Sequence, residues 1–214
     1  VVDGFIVAVS LETQAKSDFS HFTDAINNSK SIVMFDCVID EIPCTKVKTN
    51  DYSAISQATE NLIKSNRNKI ILLSTIFNSN VGKKRALGYK KAMREANLKP
   101  VVIESNIDNI EITLENYLKK NKTDAIIALD NDSSFISYKV SKTLNKRIPN
   151  DIAIIGYASE RIAAYFSPEL TTINQHSFTI GKTAASLLIE QLKDKKNINQ
   201  TIFINSSLSK RKSS

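Results

Sequence analysis

Polar side chains follow the apolar runs of this chain at the points where the runs end. In an open α/β sheet the ligand binds beyond the carboxyl ends of the strands, so residues in these places could hold a polar small molecule. A single residue of this kind could equally cap the following helix, as Asp132 or Ser133 would, but several together favour a polar ligand. The residues are Ser10, Asp36, Ser74, Thr75, Asp130, Asn131 and Asp132, and the stretch 156–159.

No catalytic motif accompanies these residues. The sequence contains no G-x-S-x-G, phosphate-binding glycine loop, H-E-x-x-H or C-x-x-C motif, and its two histidines are His21 and His176. His176 lies near the predicted ligand edge, but no nucleophile is placed beside it. Asp130 and Asp132 lack the further carboxylates that a metal site would add. We therefore expect no catalytic residue, no metal and no cofactor, in a protein that is not an enzyme.

The elements that position these residues follow from the hydrophobic pattern. Short apolar runs alternate with amphipathic stretches of helical period, which is the pattern of a parallel sheet covered by helices on both faces. The sequence therefore predicts a doubly wound α/β fold. Predicted strands cover residues 4–9, 31–35, 69–73, 100–104, 125–129, 152–155 and 201–204, and predicted helices cover 17–27, 52–65, 83–97, 110–121, 133–145 and 180–193.

Composition limits the class of protein. The chain has 214 residues, 42% of them hydrophobic and 24% charged. No apolar run approaches the roughly 18 residues that a membrane span requires, and no signal segment is recognisable at the start. Two cysteines, Cys37 and Cys44, predict reduced thiols rather than a secreted disulfide framework. We therefore expect a cytoplasmic protein without a membrane partner.

The formal net charge of +7 is spread along the chain rather than collected in one patch. The basic runs lie inside or beside predicted helices, or at the C-terminus, and solvated helix faces explain them. No aromatic residues interleave with them, as a groove for single-stranded nucleic acid would require. The charge is therefore weak support for direct contact with DNA. The runs are at 83–84, 90–91, 119–122, 193–196 and 210–212.

Several short motifs occur in a fixed order along nearly the whole chain. They are VDGFI at 2–6, RALGY at 85–89, DAIIA at 124–128, IPNDIAIIGY at 148–157, LTTI followed by Gln175, IG and AA within 180–185, and RKS at 211–213. Each motif alone is weakly specific, whereas their order and spacing together are specific. In the order and the spacing of these motifs, the chain resembles the effector-binding domain of the lactose-repressor (LacI-type) family of bacterial transcription regulators.

The resemblance implies two subdomains of the periplasmic-binding-protein-like type, each a doubly wound parallel sheet. The first would hold residues 1–74 and about 178–197, and the second residues 75–175 and about 198–214. In the family, the matched region follows a helix-turn-helix headpiece, a hinge and about two strand–helix units of the core. The resemblance therefore implies that the DNA-binding headpiece and the N-terminal part of the core are absent from this sequence.

The resemblance also implies a set of ligand-binding residues. Arg85 matches an arginine that binds ligand hydroxyls or a carboxylate in sugar-binding members, a task that suits the planar guanidinium group. A structural alternative is that Arg85 pairs with Asp130 or Asp132 and orients the loops. Two Asn/Asp pairs in the set stand in reversed order relative to the family. The implied residues are Arg85, Asp130, Asn131, Asn50, Asp51 and Gln175, together with the strand-end residues Ser10 and Asp36.

Two positions depart from the family pattern. Ala158 stands where the family usually has an aspartate, and Cys37 stands where an arginine often follows the strand-end aspartate. Losing a hydrogen-bonding group from a pocket that reads hydroxyls changes the discrimination between ligands. A less polar, smaller or differently substituted ligand is therefore plausible, and the sequence does not identify it.

The function implied is that of an effector sensor in a transcription regulator. A small sugar-like molecule would bind between the subdomains and modulate operator binding through a headpiece outside this chain. The second partner would be another copy of the chain, with Ser53, Ala54 and Ser56 as a small-residue face for the homodimer. The alternative is an exported sugar-binding protein of a transporter or chemoreceptor with the same fold, which the LTTI and RKS motifs disfavour.

Overall fold

The structure is a computed structural model, and it describes residues 2–194 and 199–214. Ten strands and eight helices lie in the described residues. In chain order they are β1 (Gly4–Val7), α1 (Leu11–Lys16), α2 (Ser20–Asn27), β2 (Ser31–Phe35), β3 (Thr45–Thr49), α3 (Asp51–Lys64), β4 (Ile70–Ser74), α4 (Asn80–Glu95), β5 (Val101–Glu104), α5 (Ile110–Lys120), β6 (Ala125–Ala128), α6 (Asn131–Thr143), β7 (Ala153–Gly156), α7 (Glu160–Ala163), β8 (Thr171–Asn174), α8 (Ser177–Asp194), β9 (Thr201–Ile204) and β10 (Ser207–Ser209).

The chain forms two compact units, which are described separately. Unit 1 comprises Val1–Asn50, Asn78–Val81 and Gln175–Asn205, and unit 2 comprises Asp51–Phe77, Gly82–Asn174 and Ser206–Ser214. Each unit contains one sheet and the helices that cover it.

Unit 1 is built on a four-stranded parallel sheet with strand order β1-β2-β3-β9. Because side chains alternate between the two faces of a strand, Ile32 and Met34 of β2 pack with Phe22 of α2, whereas Val33 packs with Ile180 of α8. A strand covered on both faces needs apolar side chains throughout, which explains the uninterrupted run SIVMF in β2.

Unit 2 is built on a six-stranded sheet with strand order β10-β8-β7-β6-β4-β5, parallel except for β10, which runs antiparallel to β8. On β4, Ile70 and Leu72 join the hydrophobic core beneath α3 and α4. Ile71 and Leu73 point to the opposite face and join the core beneath α5 and α6. Helices therefore cover both faces of the sheet, and the predicted α/β fold class with parallel sheets is confirmed.

The subdomain boundaries expected from the resemblance differ from these units. The first subdomain was expected to run to residue 74, but the chain leaves unit 1 after Asn50. The physical reason is that β4 pairs with β5 and β6, and α3 packs on the same sheet, so both belong to unit 2. Residues 195–198, at the expected junction near the C-terminus and in the last lysine run before the tail, lie outside the described residues.

The C-terminal segment is fastened to the sheet of unit 2 by Ser213. This residue is fully buried, and its hydroxyl donates to the carbonyl of Ile154 at 2.6 Å and accepts from the amide of Thr171 at 2.8 Å. The Arg211 guanidinium donates to the hydroxyl of Thr172 at 2.9 Å. The RKS motif therefore has a structural role, because it joins β7 and β8 to the end of the chain.

One predicted helix has different bounds in the structure, and several elements were not predicted. The helix predicted at 17–27 begins later, as α2 at Ser20, because Ser17 adopts a left-handed backbone conformation with φ of 53° and ends α1, a helix that was not predicted. Strands β3, β8 and β10 were missed. Among the helices that the structure describes, none combines the length and apolar character needed to cross a membrane.

Candidate functional site

Polar groups converge at one edge of the unit 2 sheet. Strands β4, β6 and β7 are parallel neighbours, so their carboxyl ends lie together. Ser74 ends β4, Asp130 follows β6, and Tyr157 follows β7. This edge is where a ligand is expected in an open α/β sheet, and the side chains that line it can be examined one by one.

Arg85 lies inside unit 2 at this edge, with only 4% of its surface exposed. Its Nε donates to Oδ1 of Asp51 at 2.8 Å, and its Nη1 donates to the carbonyl oxygen of Leu129 at 2.6 Å. The guanidinium carbon lies 3.8 Å from the centre of the Tyr157 ring, as a stacked cation–π pair does. Asp51 is therefore an ion-pair partner of Arg85, and it is a partner that the structural alternative did not name.

The close approach of two helices explains how Arg85 reaches Asp51. Gly88 lies one turn after Arg85 on α4, and a Cβ atom there would come within 2.1 Å of the carbonyl oxygen of Tyr52 in the first turn of α3. Without that Cβ atom, the backbones can approach closely. Residues three apart share a helix face, so Arg85 is directed to the residue next to Tyr52, which is Asp51. Gly88 of the RALGY motif therefore permits the close approach of α3 and α4.

Asp130 is the N-cap of α6. Its Oδ1 accepts from the amide of Ser133 at 2.8 Å, and its Oδ2 accepts from the amide of Thr75 at 3.0 Å and from the hydroxyl of Ser133 at 2.7 Å. The cap expected at Asp132 or Ser133 therefore lies two or three residues earlier. Both carboxylate oxygens accept hydrogen bonds from within the protein, and these bonds join the loop after β4 to the start of α6.

Asn131 and Asp132 begin α6 and are exposed. An amide side chain offers both a donor and an acceptor, and the first turn of a helix presents backbone N–H groups beside it. Within the predicted set in unit 2, Asn131 is exposed, Asp130 is half-buried, and Arg85 and Asp51 are buried.

Ser134 is a residue of this edge that sequence reasoning missed. Its fully buried hydroxyl donates to the carbonyl oxygens of Asp130 at 2.8 Å and Tyr157 at 3.0 Å, and the amide of Tyr157 lies 3.1 Å from the same oxygen. A Cβ atom at Gly156 would come within 2.3 Å of it. Gly156, the glycine before Tyr157, was the sequence signal that could have indicated Ser134, because it marks the close approach of these two residues. Ala158, which stands in the family's aspartate position, packs against the core of unit 2.

The other predicted residues lie in unit 1. The Ser10 hydroxyl accepts from the amide of Thr13 at 3.1 Å and so caps α1. Asp36 follows β2 with a left-handed φ of 54° and is half-buried, and the Cys37 thiol contacts its Oδ2 at 4.0 Å. Asn50 is exposed, and Gln175 is half-buried. These four residues belong to unit 1, whereas Arg85, Asp51 and Asp130 belong to unit 2.

Burial changes the proton affinity of two tyrosines near the cores of unit 2. It raises the pKa of Tyr89 to about 12 and that of Tyr138 to about 12, because the phenolate would lose its hydration. Tyr89 uses its hydroxyl structurally, donating to the carbonyl of Ile70 at 2.8 Å and accepting from the amide of Val101 at 2.9 Å. In the described part of the chain, no three His, Cys, Asp or Glu residues are grouped as a metal site requires.

Comparison with known proteins agrees with this architecture. The family model of a periplasmic binding protein-like domain matches residues 59–214. The HTH-type transcriptional repressor PurR of Vibrio campbellii is 31% identical over 202 residues, which are 92% of this chain and 59% of that repressor. The chain therefore spans about three fifths of the length of that relative.

Two solved structures share the fold. A LacI family transcriptional regulator from Enterococcus faecium with bound ribose superposes with a TM-score of 0.88 at 22% identity, over 100% of this chain and 79% of that chain. One from Enterococcus faecalis V583, also with bound ribose, gives 0.87 at 24% identity, over 100% and 78%. The resemblance found in the motifs is confirmed: the chain belongs to the periplasmic binding protein-like domain family, as the type of effector-binding domain that LacI-type regulators contain.

Proposed function

We propose that the chain senses a small sugar-like effector for a bacterial transcription regulator and that ligand binding modulates operator binding. The observation that carries the proposal is the set of polar groups at the carboxyl ends of β4, β6 and β7. Arg85 holds Asp51 and the end of β6 together, and Asp130 separately holds the loop after β4. A preorganised polar edge of this kind lowers the ordering cost of binding a polar ligand.

The chemistry of the ligand is proposed from the side chains that can reach it. Asn131 offers a donor and an acceptor, which is what a sugar hydroxyl needs. In unit 1 we propose Ser10, Asp36, Asn50 and Gln175 as further contacts, since each follows a strand or lies at a unit boundary. Two regulators with the same fold were solved with bound ribose, which makes ribose the first ligand to test.

Regulation of transcription is favoured over transport by the relatives of the chain. The matched relative is named as a transcriptional repressor, and both solved structures are named as transcriptional regulators. Accordingly we propose a non-enzymatic protein that works in the cytoplasm and reaches operator DNA through a headpiece outside these 214 residues. The exported sugar-binding protein remains the alternative on fold alone.

Thermal-shift screening tests the ligand proposal. The 214-residue chain is heated with D-ribose, other mono- and disaccharides, sugar phosphates and uronic acids. A ligand at one hundred times its dissociation constant should add about 2.7 kcal/mol to the free energy of unfolding. For a chain of this size that raises Tm by roughly 5–10 °C.

Matched variants make the screen specific. Asn131→Ala should reduce the shift, whereas Gln57→Ala, which removes an exposed amide on α3, should leave it unchanged. If no compound in the panel raises Tm, the proposal of a sugar-like effector is refuted.

We also propose a homodimer, but through a different surface from the one predicted. Ser56 is 4% exposed and donates to Glu60, and Ala54 packs against the core, so the small-residue face with Ser53 points largely inward. That face stays a prediction, with Ser53 and Ala54 half-buried and Ser56 buried. Two exposed side chains flank a groove elsewhere in unit 2, namely Phe135 at 51% and Tyr165 at 68% exposure.

The groove lies between α6 and the segment after α7, with a volume of about 340 Å³ and a floor that includes Phe166 and Tyr138. A patch that carries both protruding apolar side chains and an apolar recess can complement a second copy of itself about a twofold axis. The α6–α7 groove is therefore the proposed dimer surface.

Sedimentation velocity tests the dimer. Phe135→Glu should convert dimers to monomers, because it places a charge in the proposed contact. Ile112→Glu is the matched control, since Ile112 is 58% exposed on α5, away from the groove. Equal sedimentation of both variants and the parent would exclude this surface.

A further inference from the structure

One exposed leucine on α4 is surrounded by basic side chains. Leu87 is 56% exposed, although its chain neighbours on the inner side of the helix, Ala86 and Tyr89, are buried. Residues three and four apart are neighbours on a helix surface. The four such neighbours of Leu87 are all lysine, namely Lys83, Lys84, Lys90 and Lys91.

The basic surface extends by a further turn of α4. Arg94 is exposed and follows Leu87 by seven residues, which is close to two turns, so it lies on the same side of the helix. Lys83 and Lys91 are exposed, and Lys84 and Lys90 are half-buried. We call the surface formed by Leu87, Arg94 and the four lysines the α4 face. It has an apolar centre and a basic rim.

The positive charge of the α4 face exceeds the negative charge around it. Glu95 is the one acidic residue in the sequence of α4, and it pairs with Lys91 at 3.1 Å. Within residues 2–194 and 199–214, Lys83 and Arg94 have no carboxylate partner. Lys90 and Arg94 are four residues apart, so these like charges repel each other. A bound anionic group would relieve this repulsion.

Other exposed lysines of unit 2 are neutralised within the chain. Lys119 pairs with Glu115 on α5 at 2.6 Å, and Lys139 of α6 pairs with Glu111 of α5 at 2.8 Å. Faces with alternating charges of this kind are typical of a helix that is exposed only to water. The α4 face differs from them, because it combines excess charge of one sign with an exposed apolar side chain.

We propose that the α4 face docks an acidic helix of a partner protein, with an apolar side chain of that helix against Leu87 and its carboxylates against the surrounding lysines. Interfaces between proteins place an apolar centre inside a polar rim, and opposite charges fix the register of the two partners. α4 has 16 residues and is therefore about 24 Å long, so one helix can cover the face. A contact of this size is typical of a transient complex.

The apolar centre favours a protein over nucleic acid or a membrane. Contacts to nucleic-acid phosphates use basic and polar groups and gain nothing from an exposed leucine. A helix that lies in a membrane surface inserts a wide apolar face into the lipid. The wide apolar face of α4 instead packs in the core, where Met93 is fully buried.

Fluorescence anisotropy of a labelled synthetic peptide measures docking on the 214-residue chain. The probe is an alanine-based helical peptide of the length of α4, with one central leucine and glutamate three and four residues away on each side. We expect saturable binding in about 0.01 M salt, where charges are weakly screened, and weaker binding in about 0.1 M salt. The analogue with glutamine in place of glutamate should bind about tenfold or more weakly.

Charge-reversal variants locate the contact. Lys83→Glu/Arg94→Glu should weaken peptide binding about tenfold or more, because like charges would then face each other. Lys120→Glu/Lys122→Glu makes the same change in net charge at exposed positions at and after the end of α5, and it should leave binding within about twofold of the parent. Leu87→Gln keeps every charge and should weaken binding about fivefold, as loss of a central contact does.

Three results would overturn the proposal. The first is a parent chain that does not bind the glutamate peptide. The second is equal weakening in the two charge-reversal variants, which would indicate general attraction between a basic chain and an acidic peptide. The third comes from parallel titrations with a DNA duplex and with phosphatidylglycerol vesicles: tighter binding of either, lost in Lys83→Glu/Arg94→Glu and unchanged in Leu87→Gln, would assign the α4 face to phosphate groups instead.

Discussion

Replacing Asp130 by alanine distinguishes a structural carboxylate from a ligand-binding one. The side chain accepts hydrogen bonds from the amides of Ser133 and Thr75 and from the Ser133 hydroxyl. Loss of a helix N-cap costs about 1 kcal/mol, and loss of a second hydrogen bond to a charged group costs about 1.5–3 kcal/mol. The sum of roughly 2–4 kcal/mol corresponds to a fall in Tm of roughly 5–15 °C for a chain of this length.

Differential scanning calorimetry without added ligand measures this fall. Asp132→Ala is the control, because Asp132 is exposed in the first turn of the same helix and its charge interacts only with the helix dipole, worth under about 1 kcal/mol. Suppose instead that Asp130→Ala unfolds at the temperature of the parent but loses affinity for a sugar. The capping role would then be refuted, and Asp130 would be a ligand acceptor.

Three other substitutions are predicted from packing and burial. Gly88→Ala should lower the free energy of unfolding by about 1–3 kcal/mol, because the added carbon would meet the backbone of α3. Gly181→Ala should raise it by about 0.5–1 kcal/mol, because no atom lies within 4 Å of the added carbon. Urea unfolding measures both changes. Ser213→Ala should cost about 1–3 kcal/mol for each buried group left without a partner, seen as a lower Tm. Because burial raises the pKa of Tyr89 to about 12, its contribution to stability is complete below pH 10 and is lost as pH rises towards 12; Tyr89→Phe should flatten that alkaline loss in urea unfolding at pH 9 to 11.5.

Four buried strands were predictable, whereas β3, β8 and β10 were not. β2, β4, β6 and β7 are covered on both faces and appear in the sequence as uninterrupted apolar runs. β3 has the sequence TKVKT and was missed, although Lys46 is only 6% exposed. Its ammonium group donates to the backbone carbonyls of Ile42 and Cys44. A lysine held by carbonyl groups from a nearby turn gives no periodic signal.

Several residues at this edge were named from the sequence, but the contacts they make were not. Arg85 and Asp51 are 34 residues apart in the chain, and both were found through motifs. Their contact depends on the approach of α3 and α4 at Gly88, which is a tertiary event that sequence spacing does not encode. For the same reason Asp130 was expected to bind ligand, whereas its oxygens are used by a loop 55 residues earlier.

The position of the subdomain boundary was likewise not predictable from the sequence pattern. Strand order is set by which strands pair, and the pairing of β4 with β5 and β6 places residues 51–74 with the second sheet. The apolar run of β4 predicts a buried strand, but it does not say in which of two sheets the strand lies. Hydrophobic pattern alone therefore located the strand and left its sheet undetermined.

Isothermal titration calorimetry of the 214-residue chain with D-ribose and the other sugars of the panel tests the central claim most directly. We predict saturable binding of at least one compound with one site per chain, weakened by Asn131→Ala and unaffected by Gln57→Ala. Absence of binding across the panel, or equal affinity in the Asn131→Ala variant for every compound that binds, would contradict a sugar-like effector held at the strand ends of unit 2.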